Sequence, residues 1–240
     1  MKYPVMVVLT ALCCAGVAQA QWNDDAKQCF EISGNADLQI KHCTSAIASG
    51  QLSPPNTAVT LNNRAAAWMI KGDLPHALED YDAAIKFDAK LTSAYVGRGQ
   101  VNFSQSRFDL AATDFEQAQG LEADAYTTIW LFLARARSGK DGSAELARNA
   151  KLIKGDKWPF PLLSLLSGSA KPDATLAKAR NANANAERAQ LCEANFYIGE
   201  WFILSKNTTE AKKSLKQAAT QCPQTFVEYV AATSELKRLK

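Results

Sequence analysis

Histidine is almost missing from these 240 residues: His42 and His76 are the only two. So few imidazoles argue against a histidine-built metal centre and leave nucleophilic catalysis without its usual base. An excess of one charge is missing too. Twenty-seven basic residues against 24 acidic ones leave a formal net charge of +3, far from the concentrated basic stripe of a nucleic-acid binder. Beyond residue 20 no apolar run is long enough to cross a bilayer. No CxxC pair occurs, which argues against a redox or zinc site. The nearest thing to a glycine-rich phosphate loop is the short Gly97-Arg98-Gly99. The chain is 47% hydrophobic and 21% charged, the balance of an ordinary folded protein.

What is present starts with a leader. In residues 1–20 Lys2 is the only charge, Val5 to Val17 is mostly apolar, and Ala18-Gln19-Ala20 is a small-x-small cleavage signal. Cys13 follows Leu12 and Cys14 follows Cys13, so neither stands behind the small residue that a lipoprotein signal places there. The expectation is a periplasmic or secreted protein, soluble after signal-peptide removal. Four cysteines then remain, Cys29, Cys43, Cys192 and Cys222, an even number that predicts disulfides in an exported chain. Three pairings exist. The local one, Cys29–Cys43 with Cys192–Cys222, is expected to staple an antiparallel helical hairpin near each end, for roughly 3 kcal/mol apiece.

The strongest signal is a repeat. Leu61, Arg64 and Ala65 recur as Tyr95, Arg98 and Gly99; Ala77, Tyr81 and Ala84 recur as Ala111, Phe115 and Ala118. Every offset is 34 residues. Within each copy, small and large residues are spaced by three and four, which puts them on one helical face. Small residues let two helices approach while the large ones fill the gaps. Gly72-Asp73 reads as a turn with Asp73 as the next N-cap, and Pro75 falls in the first turn, where its missing N–H is tolerated. A further copy carries Ile198, Gly199 and Phe202, then Ala211, Leu215 and Ala218, with Asn207 to Glu210 as a capping-box-like start. Val227 to Leu239 reads as a terminal helix covering it. The expected division is a signal at 1–20, a stapled hairpin at 21–57, two full repeats at 58–125, a degenerate hairpin and linker at 126–185, and a last repeat with a capping helix at 186–240.

A 34-residue helix–turn–helix period resembles the tetratricopeptide repeat superfamily. That resemblance implies an all-α, right-handed solenoid of antiparallel helical hairpins. The segments Glu193 to Gly199 and Phe226 to Tyr229, with Ala211 to Ala218 between them and the insert from Lys157 to Gly168 before them, look like the periplasmic new lipoprotein I type of cell-wall hydrolase adaptor. The resemblance implies a helical scaffold that binds peptidoglycan enzymes.

Catalytic chemistry finds little support. His42 and His76 fall on second helices among charged residues, and Glu79, Asp80 and Asp82 point to different sides of one helix instead of facing each other across a cleft. A solenoid of hairpins instead offers a concave face lined by first helices. Candidate partner-binding residues there are Asn62, Asn63, Met69, Gln100 and Phe103, with Phe196, Tyr197 and Glu200 in similar register. Paired amides such as Asn62 and Asn63 suit the backbone of an extended peptide. Arg64 and Arg98 share one register position and are expected to pair with acids on the neighbouring helix. The reading is a non-catalytic scaffold that binds a protein or peptide, without cofactor, metal, nucleic acid or transmembrane segment, and with self-association open. Two alternatives stand beside it: a secreted effector or chaperone-like protein using the same groove, and an enzyme with its site within the atypical residues 124–185.

Overall fold

The computed structural model describes residues 23–32, 34–153 and 155–239; the expected leader at 1–20 lies outside them. Among the described residues the chain is all helix, without a strand. The hairpins are α1 (Asp24–Glu31) with α2 (Ala36–Ala48), α3 (Pro54–Ile70) with α4 (Leu74–Phe87), and α5 (Thr92–Ser104) with α6 (Phe108–Leu121). A looser pair follows, α7 (Ala125–Arg137) and α8 (Ser143–Leu152), then two short helices, α9 (Phe160–Leu166) and α10 (Pro172–Lys178). The last hairpin is α11 (Ala184–Leu204) with α12 (Thr208–Gln221), and α13 (Val227–Arg238) ends the chain.

Local chemistry explains the punctuation. Asp73, Asp124, Asn183 and Asn207 each accept a hydrogen bond from the first turn of the helix they precede, satisfying donors that lack an intrahelical partner. Four first helices end alike. The amide of Asp73 bonds the Trp68 carbonyl, Arg107 that of Asn102, Lys140 that of Arg135 and Asn207 that of Phe202. This is a six-to-one closure that needs a left-handed residue just before the donor. Glycine fills that place at Gly72 and Gly139, but Ser106 (φ 62°) and Lys206 (φ 59°) fill it in the other two.

Small-against-large packing holds each hairpin. A Cβ placed on Gly99 would stand 2.8 Å from the Phe115 ring, and one on Gly199 would stand 2.7 Å from Leu215. In both cases the large residue follows the small one by sixteen positions, as Tyr81 follows buried Ala65. The close approach of Gly97 and Gly99 to Tyr81 and Phe115 explains the short glycine pair as packing, not phosphate binding. The expected arginine pairs are present. Arg64 grips Asp80 with two bonds of 2.8 and 2.7 Å, and Arg98 holds Asp114 at 2.6 Å. Each arginine also reaches back to the preceding hairpin, Arg64 to Thr44 and Arg98 to Asp82. One guanidinium thus ties both the halves of a repeat and successive repeats. Both expected disulfides are formed, Cys29 with Cys43 across α1 and α2, and Cys192 with Cys222 across α11 and α12.

Candidate binding face

The first helices form one layer. α3 touches α5, α5 touches α7 and α7 touches α11. This is the inner side of the stack, and α13 lies on it. Instead of only covering the last repeat, α13 packs on α11 and α12 and also crosses to α5 and α3. The face expected to be open to a partner therefore already carries a helix of the same chain.

With α13 seated, most of the candidate binding residues are covered. Phe103, Phe196 and Tyr197 are fully buried, as is Glu200, and Met69 is 6% exposed. The three aromatics surround Trp130, with ring centroids 5.1 Å away for Phe103, 5.4 Å for Phe196 and 5.9 Å for Tyr197. They are core. Met69 packs with Leu61 and Tyr81. The reason is geometric: a first helix is buried on one side by its own hairpin partner and on another by α13, so a single apolar stripe cannot say which side is free. Asn62, Asn63 and Gln100 are half-buried. The Asn62 amide nitrogen is 3.5 Å from the Asn63 side-chain oxygen, and the Asn62 oxygen is buried without a hydrogen-bond partner among the described residues. Such an atom carries a desolvation cost that a ligand donor would relieve.

Two polar clusters hold α13 in place, and sequence spacing pointed to neither. In the first, Arg137 of α7 donates to Glu200 of α11 at 2.7 Å and to Glu235 of α13 at 2.8 Å. Arg238, also on α13, bonds Glu235 and donates to the Ser104 carbonyl at 2.9 Å and the Ser106 hydroxyl at 2.9 Å. Glu200 and Glu235 are fully buried. Burial, and then the charge of Glu235, push the Glu200 carboxyl above its ordinary range, outweighing Arg137. In the second cluster, Glu193 accepts from the Tyr126 hydroxyl at 2.7 Å and the Trp158 indole at 2.8 Å. Tyr197 donates to Glu228 at 3.1 Å. Burial first, and the nearby Glu193 charge second, push Glu228 up to about 7. Burial also raises Glu193, against the bonds from Trp158 and Tyr126.

The two histidines serve local bonds. His42 pairs with Asp25 at 2.7 Å and His76 with its own helix cap, Asp73, at 2.7 Å. Asp80 and Asp82 are occupied by Arg64 and Arg98. Within the irregular middle of the chain, a cleft of about 620 Å³ lies among α8, α9 and α10. Its wall is mostly apolar, from Leu146, Ala150, Phe160 and Leu163, with Asp156 and Lys178 as its charged members. Among the described residues it does not bring together a nucleophile and an oriented base.

No family model matches the chain. A lipoprotein NlpI homolog from Haemophilus influenzae is 24% identical over 190 residues, covering 78% of this chain; the chain spans 60% of the length of that relative. Among solved structures, YrrB, described as a TPR protein with an unusual peptide-binding site, aligns at 20% identity over 80% of this chain and 97% of its own, with a TM-score of 0.42. The 34-residue period and the stacked helical hairpins are those of an all-α, tetratricopeptide-like solenoid, and the chain is similar to the NlpI homolog.

Proposed function

We propose that this protein is a non-catalytic scaffold of the cell envelope that binds a protein partner on the face built by α3, α5, α7 and α11. The observation that carries this reading is the continuous inner layer of first helices, with half-buried Asn62, Asn63 and Gln100 along it and an unpaired Asn62 oxygen. Two buried disulfides support an oxidising compartment such as the periplasm. Enzymes of peptidoglycan turnover are the favoured partners, on the likeness of the C-terminal third to envelope adaptors. The test is affinity capture from envelope extract by wild-type protein and by an Asn62→Arg, Gln100→Arg variant. Peptidoglycan hydrolases should be enriched by the wild type and at least tenfold less by the variant. Equal capture by both would remove the inner face from the function, and capture of unfolded clients in their place would favour the chaperone-like alternative.

A further inference from the structure

The helix α13 is an unusual occupant of its groove. The four positions it buries completely or nearly so are Glu228, Ala231, Ala232 and Glu235. Their spacing of three, four and seven makes one stripe along the helix. No large apolar side chain of α13 is fully buried; Val227, Tyr229, Val230 and Leu236 are only partly covered. By contrast, α12 buries Leu215 and α11 buries Phe196, Tyr197 and Ile198. Two alanines give little hydrophobic driving force, and two buried carboxylates oppose it. The seat of α13 thus leans on its polar contacts more than on large, fully buried apolar side chains. Its polar contacts are well defined: Tyr197 for the first acid, Arg137 for the second, and the Ser104 carbonyl for Arg238.

The connection to α13 is also suited to movement. Cys222, bonded to Cys192, fixes the end of α12, and the four residues Pro223 to Phe226 lead from there into α13. The hairpin of α11 and α12 is closed covalently behind this point. Departure of α13 therefore need not open that hairpin.

Building on the inner-face reading above, we infer that α13 is a built-in stand-in for the partner, and that the groove takes an amphipathic helix carrying acid, small, small, acid and arginine at positions 1, 4, 5, 8 and 11. The partner contacts the groove as a helix, not as an extended peptide, and reaches it by displacing α13. A tethered helix competes at millimolar effective concentration, so the free chain is held largely closed until a better-matched helix arrives.

The probe is a fluorescent synthetic peptide of residues 225–239. It is titrated against the full chain and against the full-length Ala231→Arg variant, whose own α13 no longer fits. The variant should bind the peptide at least a hundredfold more tightly than the wild type. A peptide with lysine in place of both glutamates should bind neither. A folded variant, judged by helical signal and a cooperative melt, that fails to bind the peptide overturns the inference; so does equal binding by both chains. If the variant does not fold, hydrogen exchange on the wild type decides. Amides of α13 should exchange at least a hundredfold faster than those of α12, and equal protection overturns displacement. A wild-type dimer that trades α13 between copies would assign the groove to a second copy and also overturn it. Peptide binding without envelope capture would sink the scaffold reading alone, and capture without peptide binding would sink the helix inference alone.

Discussion

The two regular repeats and the junction of α7, α11 and α13 solve the same problem differently. In the repeats each arginine finds its acid sixteen residues away, Arg64 with Asp80 and Arg98 with Asp114. In the junction Arg137 is shared between acids 63 and 98 residues away. The repeat pairs sit at the edge of the stack, where the Arg64 and Arg98 side chains are 20% and 25% exposed. The junction is drier: Arg137 is 12% exposed and both its carboxylates are sealed. The contrast teaches that local ion pairs fix the shape of each hairpin, whereas the shared cluster fixes which distant elements meet.

The largest effect should come from breaking the junction. Arg137→Met would leave Glu200 and Glu235 buried without their common cation and should cost about 3–5 kcal/mol in urea unfolding. Arg98→Met leaves Asp114 with the Asn102 amide at 2.9 Å and should cost less, about 1.5–3 kcal/mol. Replacing Glu200 and Glu235 by leucine in the Arg137→Met background should restore most of the loss, because the buried charges leave together. Equal losses for Arg98→Met and Arg137→Met would erase the distinction between the two regions.

That same contrast decides what could be read from the amino-acid order. The repeats were legible because Ala65 and Gly99, Tyr81 and Phe115, and the two arginines each recur at a fixed offset. Both disulfide pairings were legible because each bridge joins neighbours in sequence, 14 and 30 residues apart. The junction was not, because no spacing connects Arg137 to Glu235. Register alone places Phe103, Phe196, Tyr197 and Glu200 on the groove side, whereas α13 and the Trp130 cluster enclose them. Periodicity identifies a face, but only tertiary packing says what covers it.

A change of pH separates the two regions as well. Glu228 meets Tyr197 directly and Glu193 nearby, with Tyr126 behind Glu193. No cation is among the influences that set its titration. Its carboxyl is raised to about 7 in the folded chain from an ordinary 4.5, so folding takes up a proton. The stability this contributes is complete below pH 4.5 and is lost as pH rises through about 7. At about 1.4 kcal/mol per pKa unit, the fall should amount to about 2–3 kcal/mol between pH 4.5 and 8. Glu228→Gln keeps an acceptor for Tyr197 and should flatten that part of the curve. An unchanged slope in urea titrations would show that Glu228 is not sealed against α11 by the seating of α13.

The smallest effect lies where the two regions touch. Gly72 and Ser106 occupy the same repeat position, both left-handed, but Ser106 also receives Arg238 of α13 at 2.9 Å. An L-residue with a Cβ is strained there by roughly 1–2 kcal/mol, and glycine returns some of that gain through its greater unfolded-state freedom. The hydroxyl contact is exposed and should be worth about 0.5 kcal/mol or less. Ser106→Gly should therefore stabilise the chain by about 0.5–1 kcal/mol, while the reciprocal Gly72→Ser, where no α13 contact compensates, should destabilise it by about 1 kcal/mol. Measured together, the pair tests whether turn geometry or the α13 contact governs the second repeat. If Ser106→Gly instead loses stability, and hydrogen exchange in α13 speeds up with it, the serine is held in its strained conformation because α13 needs its hydroxyl.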